Sequence, residues 1–268
     1  MSEIRSTFER DGFVVIPGFA DGDACEQLRL AAEDLAVQTQ RDPHETVFDT
    51  RSQSHGEDPW FLDSGGEVRA FFEPERDDGV ARVNKIGHAM HDRLPLFDRF
   101  SRNPRLADLV AELGIRDPLL LQSMVIYKHP RVGGVVPAHQ DATFLYTDPI
   151  SVIGFWFALE PAARDNGCLE MLVGGHRLGL RSRYHRRGYD AWTEVLDESP
   201  WPSGPWRELE VDVGTLVAFH GLTPHRSRAN RSSRSRCAYT LHVIDGTANY
   251  ADDNWLQRPA DMPLRGFV

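Results

Sequence analysis

His139-Gln140-Asp141 sets an imidazole and a carboxylate two positions apart, and in extended backbone such residues project from the same side. One short segment can therefore offer a nitrogen and an oxygen donor to a single metal ion. A third donor has to come from another strand, because the pair already occupies its own. His225, in His225-Arg226-Ser227, follows the strand-like run Thr215–Phe219 and the turn residue Gly221. His220 competes for the role. His225 is preferred because Arg236 then falls on the next strand, able to reach the same cavity. Two histidines and one carboxylate on one side of a metal leave its other positions open, the ligand set of non-haem Fe(II) oxygenases.

Arg236 adds a second kind of chemistry. A dicarboxylate cosubstrate such as 2-oxoglutarate chelates iron through its keto-acid end and leaves a distal carboxylate to be held. A guanidinium grips that group with two parallel charge-assisted hydrogen bonds, which an ammonium does less directionally. Taken alone, Arg236 reads equally well as one more solvated arginine beside Arg231 and Arg234. The other candidates have plainer readings. His176, in Gly174-Gly175-His176, reads as a structural turn residue, and His88 and His91 as packed residues on one helix face. Trp156 and Trp255 read as core aromatics, with Trp156 also able to line the cavity.

Strands must carry these groups. After Pro118 the sequence turns to short apolar runs: Leu119–Tyr127, Val152–Leu159, Cys168–Leu172, Thr215–His220 and Cys237–Ile244. Asp165-Asn166-Gly167 and Gly133-Gly134 supply turns between them. Before Pro118, Phe13–Ile16 reads as a short strand and Ala24–Val37 as a helix, with Asp21 or Asp23 as its cap. Gln38–Glu67 is polar and without clear period, a lid-like excursion over the surface. Asn84–His91 and Pro95–Leu113 read as helical, the latter ended by Gly114. Helices first and then many short strands predict a mainly β fold, a barrel or sandwich with flanking α-helices. No linker or repeat divides the chain. A single domain over 1–268 is expected, with N-terminal helical support over about 1–117 and the β core over about 118–245.

Composition removes several function classes. A formal charge of -10 disfavours nucleic acid as a partner, since that binding needs basic surface. No apolar run approaches the roughly 20 residues that span a bilayer, and the first residues lack a secretory signal. Three scattered cysteines without a Cys-x-x-Cys pair fit a reducing compartment, hence a cytoplasmic location.

The combination resembles the phytanoyl-CoA dioxygenase family of Fe(II)/2-oxoglutarate-dependent oxygenases. Phe8–Ile16, His139-Gln140-Asp141, Asn166–Leu169, Gly174-Gly175-His176 and His225-Arg226-Ser227 followed by Arg236 carry the likeness. Asn84–His91, Gln122-Ser123-Met124, Ala142–Thr147, Ser235–Thr240 and Asn254–Gln257 extend it to one branch. The resemblance implies a double-stranded β-helix (jelly-roll, cupin-like) with iron held by His139, Asp141 and His225. It also implies that Lys85, Met124, Trp156, Ser227 and Arg236 contact 2-oxoglutarate. The activity it implies is dioxygenation: 2-oxoglutarate and O2 are consumed, succinate and CO2 released, and a C–H bond of a small molecule oxidised. Asp141 stands where halogenating relatives carry a small residue, which argues against halogenation. An acyl-CoA substrate would need cations for its phosphates, for which Arg181, Arg183, Arg186 and Arg187 are candidates. Two other readings remain: a non-catalytic jelly-roll that binds 2-oxoglutarate or another small acid, and a zinc or manganese cupin-like enzyme. Sequence leaves the oligomeric state open.

Overall fold

A computed structural model describes residues 2–39, 58–74 and 79–267 of the chain. Ser2 caps α1 (Glu3–Asp11) by accepting the Arg5 N–H, and Gly12, at φ 83°, ends it in a left-handed turn that favours a residue without Cβ. The chain then forms β1 (Phe13–Ile16), α2 (Gly22–Thr39), α3 (Pro59–Leu62), β2 (Val68–Phe72) and β3 (Val83–His88). Three further helices follow, α4 (Met90–Arg93), α5 (Pro95–Ser101) and α6 (Pro104–Glu112). Proline opens α3, α5 and α6, where its missing N–H removes no helical bond. Strands dominate thereafter: β4 (Pro118–Lys128), β5 (Val136–His139), β6 (Thr147–Asp148), β7 (Ile153–Ala158) and β8 (Leu169–Leu172). They continue through β9 (Ser182–Arg187), β10 (Asp190–Val195), β11 (Trp206–Leu209), β12 (Leu216–His220), β13 (His225–Ser227), β14 (Arg236–Asp245) and β15 (Asn249–Tyr250).

Two antiparallel sheets build a jelly-roll. The larger runs β1-β12-β7-β14-β4-β3-β2 and the smaller β11-β8-β13-β5, while β9 and β10 form a separate hairpin. The two-residue period of β structure sorts the large sheet into two unlike faces. On β14, Cys237, Tyr239 and Leu241 join Phe155, Phe157, Val125 and Ile86 in an apolar core with Leu28, Phe97, Leu106 and Val110 of the helices. The alternate residues Arg236, Ala238, Thr240 and His242 pair across the ladders with Lys128, Ile126, Met124 and Gln122 of β4. Ala238, Thr240 and His242 pair likewise with Ala158, Trp156 and Gly154 of β7. That second face is turned to the small sheet. Trp156, Ala158, Val217 and Phe219 meet Leu169, Met171 and Leu209 there. Helices cover one side; the other is a chamber walled by two sheets.

Four expectations need correction. Asn84–His91 is not a helix: β3 pairs with β2, and its residues 85–88 pair with β4 as well. Alternation places Ile86 in the helix-covered core, and ladder bonds on both flanks outweigh local helical preference. Pro95–Leu113 is two helices, because Pro104 disfavours helical backbone at Asn103, which instead caps α6 through the Leu106 N–H. The polar excursion ends in α3, whose Phe61 and Leu62 are buried. Its lid-like stretch at residues 40–57 lies outside the described residues. The N-terminal part also supplies β1, β2 and β3 to the large sheet, so it is more than helical support.

Candidate metal centre

β5 and β13 are antiparallel neighbours, and their register sets His225 directly opposite His139. The two rings lie 4.2 Å apart between centroids. Gln140 is extended, with φ -118° and ψ 135°, so Asp141 returns to the side of His139 just as a short 3-10 turn begins. Asp141 Oδ1 is then 3.8 Å from His139 Nε2 and 3.6 Å from His225 Nε2. One ligand atom from each of the three residues lies within 4.8 Å of the others. Strand pairing brings the two histidines together, and one extended residue adds the carboxylate.

Hydrogen bonds orient both rings. His139 Nδ1 donates to the Pro137 carbonyl at 2.9 Å, and His225 Nδ1 donates to the Thr223 carbonyl at 3.1 Å. A carbonyl only accepts, so each neutral ring keeps its proton on Nδ1 and presents the Nε2 lone pair inward. Burial, with His139 alongside, pushes the His225 imidazole down to about 4 against the pull of Asp141. Burial alone would raise the Asp141 carboxyl. The facing His225 and His242 imidazoles outweigh it and hold the group well below the usual carboxylate range. Neutral imidazole and ionised carboxylate are the forms that bind a divalent cation.

Arg236 faces the same chamber from β14. It is 2% exposed, and its Nε and Nη1 have no hydrogen-bond partner among the described residues. Its guanidinium carbon lies 5.7 Å from the centre of the Trp156 ring. Burial lowers its pKa to about 10, so it stays charged at neutral pH. A buried cation without a counter-ion calls for an anionic ligand. Lys85 shares this face of the sheet, with Nζ 4.9 Å from the Phe61 ring and 5.3 Å from Phe71, and burial pushes its ammonium well down. Met124 packs against Gly87, where a Cβ would meet its Cγ at 2.8 Å. Ser227, buried on β13 two positions from His225, faces the chamber from the small sheet. This donor set and the unpaired guanidinium fit an iron ion and a dicarboxylate.

The phytanoyl-CoA dioxygenase (PhyH) family model matches residues 8–238. The chain belongs to the phytanoyl-CoA dioxygenase family. A phytanoyl-CoA dioxygenase of Arabidopsis thaliana is 38% identical, over 97% of this chain and 94% of that protein. The mouse (Mus musculus) phytanoyl-CoA dioxygenase domain-containing protein 1 is 36% identical, over 96% of this chain and 94% of its own length. Two solved structures share the fold at lower identity. The non-haem, α-ketoglutarate-dependent carbocyclase SnoK of nogalamycin biosynthesis gives a TM-score of 0.69 at 17% identity, covering 98% of this chain and 96% of that one. EctD from S. alaskensis with bound Fe gives 0.67 at 19%, covering 95% and 80%. Phytanoyl-CoA dioxygenases are Fe(II)- and 2-oxoglutarate-dependent oxygenases, and this member is an oxidoreductase of that class with iron and 2-oxoglutarate as its cofactors.

The remaining candidates go elsewhere in this phytanoyl-CoA dioxygenase relative. His220 Nδ1 accepts the Leu222 N–H at 3.0 Å, and its ring lies 5.8 Å from that of His176, outside the three-residue group. His88 bonds Ser64 within an aromatic cluster, and His91 bonds Ser123; both are packing residues. Of the four arginines offered for phosphates, Arg181, Arg183 and Arg186 are ion-paired, while Arg187 is exposed at the end of β9. Arg181 meets Asp197 at 3.0 Å, Arg183 meets Asp253 at 2.7 Å and Arg186 meets Asp63 at 2.8 Å. Two groups at the centre escaped the sequence reading. His242 approaches the Asp141 carboxylate and Gly154 leaves space beside it; neither sits in a local motif.

Proposed function

We propose that this chain is an Fe(II)/2-oxoglutarate-dependent dioxygenase that oxidises an unactivated C–H bond of a small molecule. His139, Asp141 and His225 are the iron ligands in this reading, and Lys85, Met124, Trp156, Ser227 and Arg236 surround 2-oxoglutarate. The observation that carries it is the inward-facing Nε2–Oδ1–Nε2 set beside a buried guanidinium whose Nε and Nη1 have no partner among the described residues. Bound iron supplies the oxidising chemistry, turning 2-oxoglutarate and O2 into succinate, CO2 and an oxidised substrate. The chain's own groups bind and exclude. Asp141 offsets part of the metal's charge, and the two imidazoles keep it open on one side. Arg236 neutralises the distal carboxylate in a site where water competes poorly, with the Ser227 hydroxyl as a further donor and Trp156 and Met124 as apolar walls.

The substrate class is a small molecule, with no nucleic acid involved, given the charge of -10. The ion pairing of Arg181, Arg183 and Arg186 leaves little cationic surface for a CoA phosphate, which favours a free small acid or neutral scaffold. Cys25, Cys168 and Cys237 are buried and unbridged, which supports a cytoplasmic location. No helix among the described residues is long and apolar enough to cross a membrane.

Anaerobic reconstitution with Fe(II), followed by 2-oxoglutarate and O2, should give iron-dependent succinate release. A panel of free acids, neutral scaffolds and acyl-CoA esters then identifies the substrate by stimulation of that release. Absence of succinate, coupled or uncoupled, from protein with verified bound iron would overturn catalysis in favour of a binding role. Asp141→Ala should lose both iron and turnover.

A further inference from the structure

Asp141 divides its two oxygens between different partners. Oδ1 faces the Nε2 atoms of His139 and His225, whereas Oδ2 lies 3.0 Å from His242 Nε2. An ionised carboxylate only accepts, so His242 Nε2–H is the donor. The other ring nitrogen, Nδ1, is buried without a partner among the described residues. Oδ2 also sits in a recess. Gly154 is the β7 residue paired with His242, and a Cβ there would come within 2.9 Å of Oδ2.

We propose that His242 is a positioning residue that confines Asp141 to one-oxygen ligation of the metal. The inference rests on the reading of His139, Asp141 and His225 as ligands. A carboxylate can bind a cation through one oxygen or through both. An octahedral ion held by one atom from each of three residues keeps three positions for the keto-acid end of 2-oxoglutarate and for dioxygen. A second oxygen from Asp141 would fill one of them. His242 prevents this by giving Oδ2 a buried donor of its own, and Gly154 provides the room for Oδ2 to stay there. The imidazole therefore acts on the reaction through Asp141, without touching substrate.

The test uses the full chain loaded with Mn(II), which binds such a site without consuming 2-oxoglutarate. His242→Gln keeps an N–H that reaches Oδ2, His242→Asn falls a methylene short, and His242→Phe fills the space without a donor. Mn(II) affinity is read from the free-ion resonance signal, 2-oxoglutarate affinity of the loaded protein by calorimetry, and folding by thermal melting. His242→Phe should weaken 2-oxoglutarate binding to the Mn(II) protein by about tenfold or more, on the scale of the loss of metal affinity or activity that follows removal of outer-shell support. His242→Gln should recover most of that loss. If His242→Phe does not fold, the Gln and Asn variants make the same comparison, with Asn the weaker. Equal 2-oxoglutarate affinity in parent, Gln, Asn and any folded Phe variant overturns the inference, as does a Gln variant no better than Asn. A parent that takes up no Mn(II), or an Asp141→Ala variant that binds it equally well, overturns the ligand reading beneath it.

Discussion

Gly154 and Asp141 share one recess: a Cβ on residue 154 would lie 2.9 Å from Asp141 Oδ2 and 2.5 Å from the Phe219 ring. Gly154→Ala should therefore act at the metal as well as on packing. Overpacking of this kind costs about 1–3 kcal/mol, readable as a lower urea midpoint. Iron affinity should fall with it, because the carboxylate has to shift. A variant with the parent's metal affinity would show that Asp141 does not depend on this space.

Arg236 is a buried charge whose Nε and Nη1 lack partners among the described residues, and the proposed function gives it the distal carboxylate of 2-oxoglutarate. Arg236→Met should leave the 2-oxoglutarate-free protein as stable as the parent or more so, since a buried cation without a counter-ion stabilises poorly. The parent should gain about 2.7 kcal/mol at a 2-oxoglutarate concentration of 100 times Kd, and Arg236→Met should gain almost none. Thermal melting of both proteins with and without 2-oxoglutarate decides the matter. An equal gain in both would remove Arg236 from the cosubstrate site.

His220 predicts an acid-labile contact. Burial, with His176 nearby, lowers its pKa from the usual 6.5 to about 4, and its Nδ1 accepts the Leu222 N–H. Between those values the unfolded chain takes up a proton that the folded chain refuses. Stability is therefore lost as pH falls from about 6.5 towards 4, with a limiting slope of about 1.4 kcal/mol per pH unit from this group. His220→Gln should flatten the urea-midpoint profile across that window. Parallel profiles for parent and variant would contradict the assignment.

Asp92 binds Arg102 at 2.7 Å, Arg258 at 3.0 Å and Arg265 at 2.9 Å, with its own side chain 3% exposed. It ties α4 and α5 to the C-terminal segment. Asp92→Asn keeps the shape but removes the charge, leaving Arg258 buried without its counter-ion and Arg102 with Asp98 alone. A loss of about 3–5 kcal/mol is expected, measured by urea unfolding. A loss under 1 kcal/mol would mean that water or rearrangement already compensates these cations.

Much of the strand content was legible because burial writes itself as apolar runs, as at Leu119–Tyr127 and Cys237–Ile244. The segment 84–91 misled because its residues alternate between an apolar core and a polar chamber. Ile86 and Lys85 share a strand but face different surroundings, so no simple apolar period marks it. The arginines at 181, 183 and 186 were legible as cations but not as ion pairs: a cluster of cations in sequence does not reveal that Asp197, Asp253 and Asp63 lie within reach of it.

By itself the sequence determined the donor types, His139 and Asp141 in one extended segment with His225 and Arg236 beyond, because residue chemistry and two-residue spacing are local properties. The sequence preferred His225 over His220, and the tertiary structure gives the physical reason. The answer depends on β13 lying beside β5 with His225 opposite His139, and strand register is a long-range property. The same holds for His242, 101 positions from Asp141 in the chain and joined to it solely by the closing of one sheet over the other.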